Sequence, residues 1–196
     1  RMHMNDLAVL KLLPLSLLKC LHVELYLPHL TRVPILHHLS TLDEPAMSDL
    51  SHHATKDVSY LTGEFMFNEG KEASCMYFMV TGCSWYDHEE RDCQTLLKAG
   101  SWACEPVLWV RWWHCGALKA TFSSEVIELD AQTFIKSVST HLEILPFVTA
   151  YATGFARYLH NSRDIHCTSW RTDLWNDVEA LDDLTINAWT EKTWDM

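Results

Sequence analysis

At 196 residues the chain has the length of one ordinary domain plus an appendage, and its formal charge of −11 opposes a nucleic-acid partner, whose phosphates need clustered Lys and Arg. Apolar residues make up 48% and charged residues 21%, which excludes a disordered composition and leaves material for a real core. Seven cysteines, an odd number with no CxxC pair and no secretory signal ahead of them, argue for a reducing compartment, the cytosol.

The most apolar stretch, residues 7–21, is broken by Lys11, Pro14 and Lys19 and falls short of the about 20 apolar residues a membrane span needs, so no segment is predicted to cross a bilayer. The chain opens on Arg1 rather than Met, as expected of a piece of something longer whose membrane part, if any, lies upstream. Over residues 15–30, Leu17, Leu18, Leu21 and Leu25 recur at helical intervals. A second apolar set follows Pro34 (Ile35, Leu36, Leu39, Leu42), and a third helix is predicted to open near Asp43 with Pro45 in its first turn.

Past Asp57 the pattern changes. Short runs rich in Val, Tyr, Phe, Met and Thr are punctuated by Gly63, Gly70, Gly82, Gly100 and Gly116, the signature of a sandwich or barrel of short strands. Strands are predicted at 58–61, 64–67, 75–80, 84–86, 94–98, 117–122 and 126–129. Asp130 is placed to cap a helix carrying Phe134, Ile135 and Val138, and a longer helix follows over 142–159 with Pro146 in its first turn. After Asn161 the tail is acidic (Asp173, Asp177, Glu179, Asp182, Asp183) yet holds Trp170, Trp175, Trp189 and Trp194, and it is expected as a loosely docked extension.

Particular residues sharpen this order of elements. Leu61-Thr62-Gly63-Glu64-Phe65-Met66-Phe67-Asn68-Glu69-Gly70 followed by Cys75-Met76-Tyr77-Phe78-Met79-Val80-Thr81-Gly82 resembles two consecutive strands and turns of the cyclic-nucleotide-binding domain. Leu97 to Trp109 falls where that family carries its phosphate-binding cassette, and Lys119-Ala120-Thr121-Phe122 falls on the strand that closes it. Upstream, Leu13-Pro14-Leu15-Ser16-Leu17 through Leu36-His37-His38-Leu39 resembles the C-linker helices of cyclic-nucleotide-gated, hyperpolarisation-activated and ether-à-go-go-type channels. The resemblance implies a mainly β fold with flanking α. Residues 1–55 would be a C-linker-like helical segment and 56–160 an antiparallel, jelly-roll-like β-roll with two C-terminal helices. Residues 161–196 form the acidic Trp-containing tail outside the resemblance. It also implies a regulatory module on the cytoplasmic side of a membrane, joined to an upstream transmembrane pore region and assembled as a homotetramer through the C-linker.

A cyclic nucleotide offers one phosphate charge, a ribose hydroxyl and a purine, so its pocket needs backbone N–H groups at a helix start, an arginine and a carboxylate. By the resemblance, Cys104, Glu105, Pro106, Val107, Lys119, Ala120 and Thr121 would line it, with Glu105 as the ribose-binding glutamate and cAMP or cGMP as ligand. The cassette departs from the family pattern three times. Cys104 replaces a glycine that lets the backbone approach the phosphate, Pro106 lacks an N–H, and Leu118 stands at the arginine position, where a leucine cannot neutralise an anion. Lys119, Arg111 and His114 are the remaining cations nearby, and each reads as surface charge. Three outcomes follow for such a pocket: empty, plugged by its own chain, or used by another ligand.

Rival readings fare worse. A metalloenzyme built on Cys104, His114 and Cys115 fails because adjacent His114 and Cys115 cannot easily aim at one ion. No G-x-S-x-G pattern marks a nucleophile, so no enzyme is expected. An acidic tail is the wrong composition for a DNA-reading helix-turn-helix. The alternative within the family is a non-channel signalling protein such as a kinase regulatory subunit.

Overall fold

The computed structural model describes residues 12–88, 91–161, 172–175 and 177–194, with the side chains of 91–93 and 191–194 left aside. Three helices lead: α1 (Leu15–Leu30), α2 (Pro34–Leu42) and α3 (Glu44–His53). The second and third start where the sequence chemistry asks. Pro34 sits at the head of α2, where its missing N–H costs nothing, and the Asp43 carboxylate accepts from Ala46 N–H at 2.8 Å to cap α3.

Eight strands follow, β1 (Thr55–Tyr60), β2 (Phe65–Phe67), β3 (Cys75–Thr81), β4 (Cys83–His88), β5 (Arg91–Lys98), β6 (Trp102–Ala103), β7 (Ala117–Ala120) and β8 (Ser124–Asp130). They form two antiparallel four-stranded sheets in the orders β1-β8-β3-β6 and β2-β7-β4-β5. The predicted roll with flanking helices is therefore the observed fold. Only β6 was absent from the expectation; two residues are too few to show alternation. β7 ends at Ala120, two residues short of the predicted strand.

Burial follows the pleat. In β7, Leu118 and Ala120 turn inward while Lys119 turns out, and in β4 Ser84, Tyr86 and His88 are buried. Strand β3 departs from alternation: Cys75 through Met79 are all buried, because the strand lies between β8 and β6 and is also touched by α1 and by a short 3-10 helix, Glu105–Leu108. The β3–β4 turn depends on Gly82. At φ +80° a Cβ there would meet Ser123 O at 2.7 Å, so only glycine fits without rearrangement.

After the roll, α4 (Ala131–Thr140) is capped by Asp130, whose carboxylate accepts from Thr133 N–H at 2.8 Å, and α5 (Leu145–Asn161) buries Phe147, Val148, Tyr151 and Phe155. The tail then returns as α6 (Val178–Trp194), packed against α5 and α2. Leu181, Thr185 and Ala188 make its buried stripe at helical spacing, while Glu179, Asp182 and Asp183 face outward. Trp189 stands edge-on to Phe147 at 5.8 Å, and Trp175 to Tyr158 at 5.6 Å. The described tail is thus part of the core, not the loosely docked extension expected from its charge: Leu181, Thr185 and Ala188 are buried while Glu179, Asp182 and Asp183 stay exposed. Trp170 lies outside the described residues. Among the described residues no helix is long and apolar enough to cross a membrane.

If α6 belongs to the core, Leu181→Ala should lower unfolding free energy by about 2–5 kcal/mol, the usual cost of truncating a buried leucine, while Ile186→Ala on the exposed face should stay within about 0.5 kcal/mol. Urea denaturation followed by tryptophan fluorescence measures both. Equal small losses would mean that α6 does not carry the packing described.

Candidate functional site

The site grows from the junction of β6 and the short 3-10 helix. Cys104 joins them in a left-handed conformation, φ 67° and ψ 33°, and is the only non-glycine residue with positive φ among those described. A side chain there costs roughly 1–2 kcal/mol relative to the right-handed region. Its thiol is buried, and burial together with the nearby Asp173 carboxylate pushes its pKa well above the ordinary thiol value.

Across from Cys104 run Trp112, His114, Cys115 and Gly116, ahead of β7. Gly116 is required here: a Cβ would lie 2.4 Å from Asp87 O and 2.7 Å from the Tyr86 ring. That close approach brings the Cys115 and Gly116 amides beside the Tyr86 hydroxyl.

Into this space the tail inserts Asp173, which is fully buried. Its Oδ2 accepts from Tyr86 OH at 2.9 Å, Cys115 N–H at 2.8 Å and Gly116 N–H at 3.1 Å. Its Oδ1 accepts from Trp112 Nε1–H at 2.8 Å and lies 3.1 Å from His114 Nδ1. The Asp173 backbone joins as well, its carbonyl accepting from Cys104 N–H at 2.6 Å and its N–H donating to the Tyr86 hydroxyl oxygen at 3.1 Å. Phe67 stacks on the His114 ring at 3.8 Å and 6°, which fixes its orientation. A buried carboxylate is tolerated only when hydrogen bonds replace its hydration, and this one is surrounded by donors.

Glu105 is buried too, but it points elsewhere. Its Oε1 accepts from Tyr151 OH on α5 at 2.9 Å and from Trp109 Nε1–H at 3.3 Å, while Oε2 has no partner. Burial raises its carboxyl from 4.5 to about 7, against the downward pull of the hydrogen bonds from Tyr151 and Trp109. Trp109 in turn packs edge-on against Tyr151 at 5.0 Å and Phe134 at 5.5 Å, so it anchors the loop to α4 and α5.

Compared with known proteins, the sequence matches no family model and no curated protein. A solved structure described as cAMP bound PfPKA-R (141-441) is similar in fold, with a TM-score of 0.51 and 18% identity over 79% of this chain and 51% of that one. The chain has the fold of a cyclic-nucleotide-binding-type β-roll. It spans about half the length of that structure.

Within that roll the positions singled out in the sequence separate. Cys104 meets Asp173; Glu105 meets Tyr151 and Trp109; Pro106 and Val107 are buried in the 3-10 helix, where the Pro106 carbonyl accepts from the Trp109 and Val110 amides. The outward Lys119 holds its ammonium 5.1 Å from the centre of the Phe65 ring. Ala120 and Thr121 use their amides to pair with Glu64 O and Cys83 O. Leu118, set against the family arginine by the resemblance, is fully buried opposite Phe67 and Tyr86 as part of the core. Of the substitute cations, Arg111 is an exposed ion pair with Glu72 at 2.7 Å, as expected of surface charge. His114 corrects that expectation: it is 4% exposed and faces Asp173.

Glu105 gives a pH signature. Its pKa is higher in the folded chain than in the unfolded one, so its stabilising contribution is complete below about pH 4.5 and is lost as pH rises to about 7. Glu105→Gln removes this dependence. The stability of wild type relative to the variant should therefore fall by roughly 2 kcal/mol between pH 5 and pH 7.5, read from urea melts. A difference constant with pH would contradict the buried placement.

Proposed function

We propose that this chain is a non-catalytic regulatory module in which a cyclic-nucleotide-binding-type pocket is closed by its own tail, serving a cyclic-nucleotide-gated or voltage-gated potassium or cation channel. The observation that carries the closed pocket is Asp173: it draws donors from the cassette side (Cys104 N–H) and from the approach to β7 (Cys115 and Gly116 N–H) into one carboxylate-containing residue. Those are groups an incoming phosphate would compete for. With Leu118 in place of an arginine, a phosphate has no charged partner to outweigh the bonds it would break.

The mechanism is conformational. Asp173 leads into α6, and α6 packs on both α5 and α2, so withdrawal of Asp173 changes what holds the helices before the roll as well as after it. A ligand shifts this equilibrium only by binding one arrangement better than the other. The resemblance of Leu13 through Leu39 to a C-linker supports the channel reading, in which α1 and α2 transmit the change to a pore and associate as a four-fold ring. The likeness to PfPKA-R supports a second reading, a regulatory domain of a non-channel signalling protein. Light scattering separates them: a tetramer favours the channel, a monomer the alternative.

Calorimetry with cAMP and cGMP tests the plug. Wild type should show no saturable heat up to about 1 mM, whereas Asp173→Ala, once shown to be folded, should bind measurably. Asp173→Ala should also lose about 3–5 kcal/mol of stability, because it strands several buried donors at once. Micromolar binding by wild type that is unaltered in Asp173→Ala would contradict the reading.

A further inference from the structure

The Asp173 contact contains a feature that a simple plug does not require. Cys104 Sγ, His114 Nδ1 and Asp173 Oδ1 form a nearly regular triangle with sides of 3.7, 3.1 and 3.8 Å, and all three residues are buried. The point equidistant from the three atoms lies about 2.1 Å from each, inside the ~2.0–2.3 Å range of zinc bonds to oxygen, nitrogen and sulfur. The geometry points to a binding site for a zinc-class divalent cation on Cys104, His114 and Asp173, joining the tail to the roll. This inference rests on the reading of Asp173 as a plug and deepens it.

Two observations favour a cation over other uses of the same residues. In a nucleophilic Cys-His-Asp relay, sulfur and carboxylate address opposite ring nitrogens of the histidine. Here both converge on Nδ1, as ligands do around a point. Secondly, Cys104 occupies a left-handed conformation that glycine would take without strain, which calls for a role of its side chain. That side chain is the one aimed at His114 and Asp173.

The surroundings suit a metal. The second carboxylate oxygen is held by Tyr86, Cys115 and Gly116, and Phe67 stacks on the His114 ring, so two of the three ligand groups are fixed by outer contacts. A thiolate, an imidazole and a carboxylate together favour zinc over magnesium or calcium, which prefer all-oxygen sites. Binding releases the Cys104 thiol proton to solvent and takes His114 as the tautomer protonated at Nε2. Three protein ligands leave a fourth position for water or a small anion. Cys115, adjacent to His114, is not in the triangle, and this is the difference from the ligand set rejected on sequence grounds.

Cobalt chloride titrated into the purified full chain should bind one to one and give a thiolate-to-cobalt absorption band, and zinc chloride should displace it. Cys104→Gly, which relaxes the backbone while removing the sulfur, should lose the band and any zinc-induced rise in Tm. Cys115→Ser should keep both, and Asp173→Ala should weaken binding on the order of tenfold or more. X-ray absorption at the zinc edge of wild type, which needs no variant, should show one sulfur ligand with the remainder nitrogen or oxygen. No cobalt band in folded wild type, or a zinc spectrum without sulfur, overturns the cation site. If wild type also refuses nucleotide while Asp173→Ala accepts it, the plug stands without the metal. Cation binding equally tight in Asp173→Ala removes the tail from the site and overturns the three-ligand assignment.

Discussion

A carboxylate in a protein interior must replace its lost hydration atom for atom, and the burial of Asp173 imposes that demand on everything around it. Oδ2 uses a tyrosine hydroxyl and two consecutive backbone amides; Oδ1 uses an indole and an imidazole. Those groups come from β4 and from the segment before β7, so the carboxylate ties the tail to parts of the chain as many as 87 positions away. Removing it leaves buried donors with no acceptor, the costly direction of change for a hydrogen-bond network. The same contact determines where the tail leaves the roll, and hence where α6 can dock.

Two carboxylates in the region thereby divide their tasks. Asp173 closes the space between the cassette and β7, while Glu105 is drawn away by Tyr151 and Trp109 toward α5. Leu118, the residue that the resemblance sets against the family arginine, belongs to the apolar core. On the proposed reading, the chain supplies its own anion through Asp173, and no separate ligand is needed to keep the helices after the roll in place.

The fold was largely legible in the sequence because its signals are local. Apolar residues at helical spacing marked α1, Asp43 and Asp130 marked the starts of α3 and α4, and the glycines at 63, 70, 82 and 100 do carry the positive φ that turns between short strands require. Asp173 was not legible. It is one acid in an acidic tail, between 57 and 87 residues from its partners, and nothing in its neighbourhood distinguishes it from Asp182 or Asp183, which face outward. The signals that pointed toward it were indirect: tryptophans inside an acidic stretch, which need somewhere to dock, and a polar set at Trp112 and His114 with no obvious acceptor nearby. His114 was misplaced on the surface because the groups that bury it, Phe67 stacked on its ring and Asp173 at its Nδ1, are distant in sequence.

The central claim, that the tail occupies the site in the intact chain, is tested most directly by amide hydrogen exchange resolved residue by residue. The account predicts that the amides of Cys104, Cys115 and Gly116, which donate to Asp173, exchange as slowly as core amides of β3 and become fast in Asp173→Ala. Exchange of these three at the rate of exposed turns in the wild-type chain would show that Asp173 does not hold the site, and would contradict the account.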